Sequence, residues 1–177
     1  MLEKILDFIK SAGDYAMVNQ TSVDFEHSKM KSDRSHDVVT ETDLEISRRF
    51  KMFAETEFSN LDYIIVDEES VASLGDTPMA EIKNHEYAFI IDPIDGTLAY
   101  SNGLPFYGIS IGVTKNQKPI IGVLYMPALD LMIYSNEMSA FLVTKGRKEP
   151  LSKLEATAAL YANPAFHDED YGQKKRM

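Results

Sequence analysis

Two short apolar runs in this chain end abruptly in carboxylates, and that arrangement constrains the fold more than any other feature. Residues 61–66 lead into Asp67, Glu68 and Glu69, and residues 87–91 lead into Asp92 and Asp95. Short runs rich in β-branched and aromatic side chains predict strands. Both acidic groups therefore fall at strand ends. If the two strands are neighbours in one sheet, the carboxylates meet, and like charges at a partly buried site repel unless something positive compensates. For ligands that are all oxygen, the natural compensator is a hard divalent cation, with magnesium the first expectation. Taken singly, either cluster reads more readily as a solvated turn; together they shift the balance toward a site.

The rest of the chain supplies a frame for those strands. Leu2, Ile5, Phe8 and Ile9 recur at helical spacing, as do Leu44, Ile46, Phe50 and Phe53, which predicts helices over residues 1–19 and from near Thr42. Between them, residues 24–37 are polar and charged with no helical face, and read as strand and loop. Further strands are predicted over residues 106–114, 120–126 and 131–135, with a polar turn at 115–118 and a second reversal at 127–130. Turns that short join antiparallel strands. The expected class is α+β: a largely antiparallel sheet with the two helices packed on one face, and with room to continue past Ala140. Residues 154–161 suit a helix or a strand equally, and residues 164–177 are mostly polar.

Composition narrows the function. Of 177 residues, 44% are hydrophobic and 26% charged, the balance of one globular domain with a sizeable core. A net charge of -10 argues against nucleic acid and anionic membranes as partners. With no cysteine there is no disulfide framework, no thiolate zinc site and no cysteine nucleophile, which agrees with a reducing cytoplasm. Charged residues Glu3, Lys4, Asp7, Lys10 and Asp14 interrupt the first segment, so no signal peptide is read there. No apolar run is long enough to span a bilayer, and a soluble protein is expected.

The hexad Asp92, Pro93, Ile94, Asp95, Gly96, Thr97 adds detail. Proline stiffens the backbone and glycine allows a close approach to a ligand. A helix beginning near Thr97 would offer backbone amides to a phosphate. Upstream, Asp43 sits in the stretch Val38, Val39, Thr40, Glu41, Thr42, Asp43, where its position alone suggests a helix cap.

The hexad, together with Asp67, Glu68, Glu69 and Ser70, resembles the paired signature of the inositol monophosphatase family. Residues 39–43 stand at the family's expected distance upstream, and Leu104, Pro105, Phe106 with residues 109–112 resemble its next strand. The resemblance covers roughly residues 1–145, about the first half of a family member. It implies the first half of a layered αβαβα sugar phosphatase fold and a magnesium-dependent phosphomonoesterase using two or three ions. Carried onto this chain, Glu68, Asp92 and the carbonyl of Ile94 would hold the first ion. Asp92 and Asp95 would contribute to the second, and Glu68 also to a third. Asp43 and Thr97, with Glu68, match the positions that orient and activate the attacking water, and Asp95, Gly96 and Thr97 would meet the substrate phosphate. Lys29 and Lys31 fall where the family often places a lysine, but at loose spacing, and are read as solvated charge. A homodimer is implied by the same resemblance.

The family's second half carries a tryptophan-aspartate motif that completes the second ion site, and this chain has no tryptophan. Residues 1–145 are therefore expected to form an amino-terminal metal-binding domain, and residues 146–177 an incomplete start of a carboxy-terminal one. Poor turnover by the 177 residues alone is the corresponding expectation. Two functions compete: a phosphatase of inositol phosphate or a related sugar phosphate, and a catalytically impaired module that binds metal or phosphate or supplies a dimer surface. Bisphosphate nucleotides and fructose 1,6-bisphosphate are the alternative substrates.

Overall fold

A computed structural model describes residues 1–20, 29–30, 38–67 and 81–151. The chain opens with α1 (Leu2–Gln20), followed by β1 (Lys29–Met30) and β2 (Val38–Val39), which pair antiparallel as a small separate sheet. Then come α2 (Glu41–Glu57), β3 (Tyr63–Asp67), β4 (Tyr87–Asp95), α3 (Thr97–Ser101) and five further strands: β5 (Gly108–Lys115), β6 (Lys118–Met126), β7 (Leu131–Ser135), β8 (Ala140–Thr144) and β9 (Arg147–Pro150). Strands β3 to β9 form one seven-stranded sheet in sequence order. Every pairing in it is antiparallel except β3 with β4, which run parallel. The expected α+β architecture is the observed one.

Turn chemistry accounts for the antiparallel part. Between β5 and β6, Asn116 and Gln117 both take positive φ, as a two-residue hairpin turn with the twist of its strands requires. A single 3-10 turn at Pro127–Leu129 reverses the chain between β6 and β7, with Asp130 closing it in the left-handed region. β9 lies beyond Lys145 and is the last strand of the same sheet. No short turn joins β3 to β4; residues 68–86 intervene, which is the kind of long connection a parallel pair needs.

Both long helices lie on one face of the sheet, each through an apolar row. From α1, Ile5, Ile9, Ala12 and Ala16 are buried, and from α2, Ile46, Phe50 and Ala54. They meet Phe89 and Ile91 of β4, Ile109, Ile111 and Val113 of β5, and Ile121, Val123 and Tyr125 of β6. The ring of Phe89 stacks on Phe58 at 5.1 Å and meets the edge of Phe50 at 6.0 Å. Burial of each such side chain contributes about 1.5–3 kcal/mol, so this layer fixes α2 relative to β4. Among the described residues no helix is long and apolar enough to cross a membrane.

Candidate active site

The parallel pairing of β3 with β4 decides where the acidic residues go. Tyr63 pairs with Tyr87 and Asp67 with Ile91, so both strands end on the same edge of the sheet. Asp92 is one residue past the last paired position. Two antiparallel strands would have sent the clusters to opposite edges; parallel ones bring them to the same edge. Glu68, the residue after β3, lies outside the described residues, as do Glu69, Ser70 and Lys31. Lys29 is in β1.

The hexad is more extended than the sequence suggests. Instead of turning after Ile91, β4 continues through Asp95, with Asp92 opposite Ser110 and Asp95 opposite Gly108 and a register shift between them. Such a bulge re-aims side chains at a sheet edge. Asp92 is half-buried, Ile94 is fully buried and Asp95 is exposed. Gly96 follows at φ 91°, and a Cβ there would lie 2.8 Å from the Phe106 carbonyl oxygen. Only glycine suits that position, and α3 begins at the next residue.

Asp43 is fully buried at the start of α2. It forms a capping box with Thr40: its Oδ2 accepts from the Thr40 amide at 2.9 Å and from the Thr40 hydroxyl, while the Asp43 amide points to Thr40 Oγ1 at 3.4 Å. The cap suggested by sequence is thus present, on Asp43 as the third helical residue. Its other oxygen faces the hexad, since Thr97 Oγ1 stands 3.5 Å from Asp43 Oδ1 and donates to the Ile94 carbonyl at 2.9 Å. One hydroxyl proton thus has two acceptors in reach, a buried carboxylate and a carbonyl. Asp43, Ile94 and Thr97 are brought together; Asp92, Asp95 and Gly96 share the same strand end.

Supporting residues escape sequence reasoning. Tyr100, a buried residue of α3, donates to the Ala16 carbonyl at 2.9 Å and lies 3.0 Å from Thr42 Oγ1, tying α3 to both long helices. Burial, chiefly, pushes its hydroxyl up to about 12, with the neighbouring Tyr107 and Asp43 adding to the effect and the Thr42 hydrogen bond opposing it. Gln20 at the end of α1 donates to the Leu104 carbonyl at 2.9 Å and holds the segment after α3. Asp67, 1% exposed, is paired with Lys51 of α2, whose Nζ is 2.8 Å away. Lys51 follows Asp43 by eight residues, about two helical turns along one side of α2, but no short-range sequence signal pairs it with Asp67.

The donors at this edge are carboxylate, carbonyl and hydroxyl oxygens, a set suited to a hard divalent cation and not to a soft one. Among the described residues no three Asp, Glu or His side chains gather closely enough to form a cation site by themselves. The proposed set needs Glu68 in addition.

A sheet backed by helices, with a buried carboxylate, a hydroxyl and further carboxylates at the shared end of two parallel strands, defines a class of α+β protein that gathers oxygen donors at one sheet edge. The model of the inositol monophosphatase family matches residues 3–167, and the chain belongs to that family. Inositol monophosphatase 1 of Saccharomyces cerevisiae is 32% identical over 130 residues, covering 73% of this chain and 42% of the relative. A fructose-1,6-bisphosphatase/inositol-1-monophosphatase of Thermotoga maritima is 30% identical over 138 residues, 78% of this chain and 48% of its own length. Among solved structures, an IMPase of Thermotoga maritima superposes with a TM-score of 0.65 at 29% identity, covering 80% of this chain and 50% of that one. The chain thus spans about half the length of these relatives.

Proposed function

We propose that this chain carries the catalytic edge of a magnesium-dependent phosphomonoesterase acting on inositol phosphate or a related sugar phosphate. The observation that supports it best is the parallel β3–β4 pairing, which delivers Asp67, the residue before Glu68, and Ile91, the residue before Asp92, to one sheet edge, while Thr97 just past β4 meets Asp43. Glu68, Asp92, Asp95 and the Ile94 carbonyl are the proposed cation ligands. Magnesium held there would supply positive charge against the phosphoryl oxygens and make water a nucleophile near neutral pH.

The chain's own residues do the rest. Asp43, buried and fixed by its cap, accepts a proton through the Thr97 hydroxyl, which sits between it and the Ile94 carbonyl. The turn at Gly96 brings backbone close enough to meet a phosphate, with Asp95 beside it. The names of the relatives favour an inositol monophosphate, with fructose 1,6-bisphosphate second. A homodimer and a cytoplasmic location belong to the same proposal and are supported by the family resemblance and the absence of cysteine.

Phosphate release from inositol monophosphate tests it. The expected result is magnesium-dependent hydrolysis, slow in the 177-residue chain, abolished by chelator and by Asp92→Asn. Hydrolysis that survives both treatments would remove the proposed site from the reaction.

A further inference from the structure

The contact between Thr97 and Asp43 is the loosest step in the proposed proton path. At 3.5 Å it stands at the outer limit of a hydrogen bond, and the Thr97 hydroxyl has a nearer acceptor in the Ile94 carbonyl at 2.9 Å. The Ile94 bond is local and moves with the start of α3. The Asp43 contact instead crosses from α3 to the first turn of α2, so it exists only while the two helices are held close. α3 is five residues long and its Gly96 cap offers no side-chain hydrogen bond. A helix that short does not fix its own position, and side-chain anchors decide where it sits.

A second contact spans the same gap. Tyr100 follows Thr97 by three residues on α3, and Thr42 directly precedes Asp43 on α2. The Tyr100 hydroxyl oxygen lies 2.9 Å from the Ala16 carbonyl oxygen and 3.0 Å from Thr42 Oγ1. A carbonyl can only accept, so the single tyrosine proton goes to Ala16 and the Thr42 hydroxyl donates to the tyrosine oxygen. The ring is fixed too: Tyr100 is fully buried, and Tyr107 meets it edge-on at 4.8 Å. Resting on the proposed function, we propose that Tyr100 is a positioning residue: its hydroxyl clamps α3 to α1 and to the start of α2, and so keeps the Thr97 hydroxyl within reach of Asp43. Phenylalanine in its place retains the ring packing but removes both bonds, leaving the Thr97 hydroxyl to the Ile94 carbonyl.

Two double-mutant cycles on the 177-residue chain test this, one of them without catalysis. In the first, urea midpoints without magnesium compare the loss caused by Thr97→Val in the parent and in Tyr100→Phe. Valine removes the hydroxyl from both acceptors, so its loss should be smaller by about a third or more where Tyr100 no longer holds the Asp43 contact. The second cycle follows phosphate release from inositol monophosphate with magnesium. Tyr100→Phe should lower kcat about ten- to a hundredfold with KM within about twofold, and should lower it by less than about threefold once Thr97 is valine. Tyr134→Phe, on β7 and away from the hexad, should keep the parental kcat. Equal Thr97→Val losses in the two backgrounds, or a parental kcat in folded Tyr100→Phe, overturn the proposal. If Tyr100→Phe fails to fold, Thr42→Val removes the α2 arm of the clamp and takes its place in both cycles, where the same two results overturn the role equally. A parent that releases no phosphate overturns the proposed function, whereas an active parent with additive variants overturns only the role of Tyr100.

Discussion

Replacing Gly96 with alanine separates two demands that the turn between β4 and α3 makes on its residue. The first is conformational. At φ 91°, an L side chain sits in the left-handed region at a cost of about 1–2 kcal/mol. The second is spatial, because the new Cβ would lie 2.8 Å from the Phe106 carbonyl oxygen, and backbone cannot step aside as a flexible side chain can. Relief requires the segment before β5 to shift, a further cost of about 1–3 kcal/mol on the scale of overpacked cores. Gly103 provides the control: its φ is 71°, and a Cβ there meets nothing within 4 Å. Urea denaturation, extrapolated linearly, should show Gly103→Ala losing about 1 kcal/mol and Gly96→Ala about 2–4 kcal/mol. The larger loss should come with weakened magnesium binding, since Asp95 precedes the displaced turn. Equal losses at the two glycines would refute the claim that Phe106 backbone presses on this turn.

Asp43→Ala removes the acceptor for the buried Thr40 amide and hydroxyl, and should cost about 1–3 kcal/mol by the same urea assay. For Tyr100, folding raises the hydroxyl from its ordinary value of 10.0 to about 12. Its contribution is therefore complete below about pH 10 and lost as pH climbs toward 12, about 2–3 kcal/mol in all. Urea midpoints measured near pH 9 and near pH 11.5 should fall further for the parent than for Tyr100→Phe.

Much of this structure is legible in the sequence because the decisive signals are local. Helical spacing of Ile5, Ile9, Ile46 and Phe50 specifies the faces of α1 and α2, and the polar pair at Asn116 and Gln117 specifies a hairpin. The continuation of β4 through the hexad was less legible, because proline ordinarily ends a strand; here it sits in a register shift, where the missing amide costs no ladder hydrogen bond. Parallel pairing of β3 with β4 is a long-range choice that no short motif encodes. The Lys51–Asp67 pair is likewise invisible locally: sixteen positions apart, the two residues meet only because α2 packs across the sheet beside the end of β3. The fold sets the Lys51 ammonium against the Asp67 carboxylate.

The central claim is that two parallel strands carry their carboxylates to a common ion. Crystals grown with manganese in place of magnesium test it most directly, because the ion can be located by its anomalous scattering. A peak about 2.0–2.2 Å from a carboxylate oxygen of Asp92 and shared with Glu68 is the predicted result. Ordered Glu68 and Asp92 side chains pointing apart, with the manganese bound elsewhere or not at all, would contradict it.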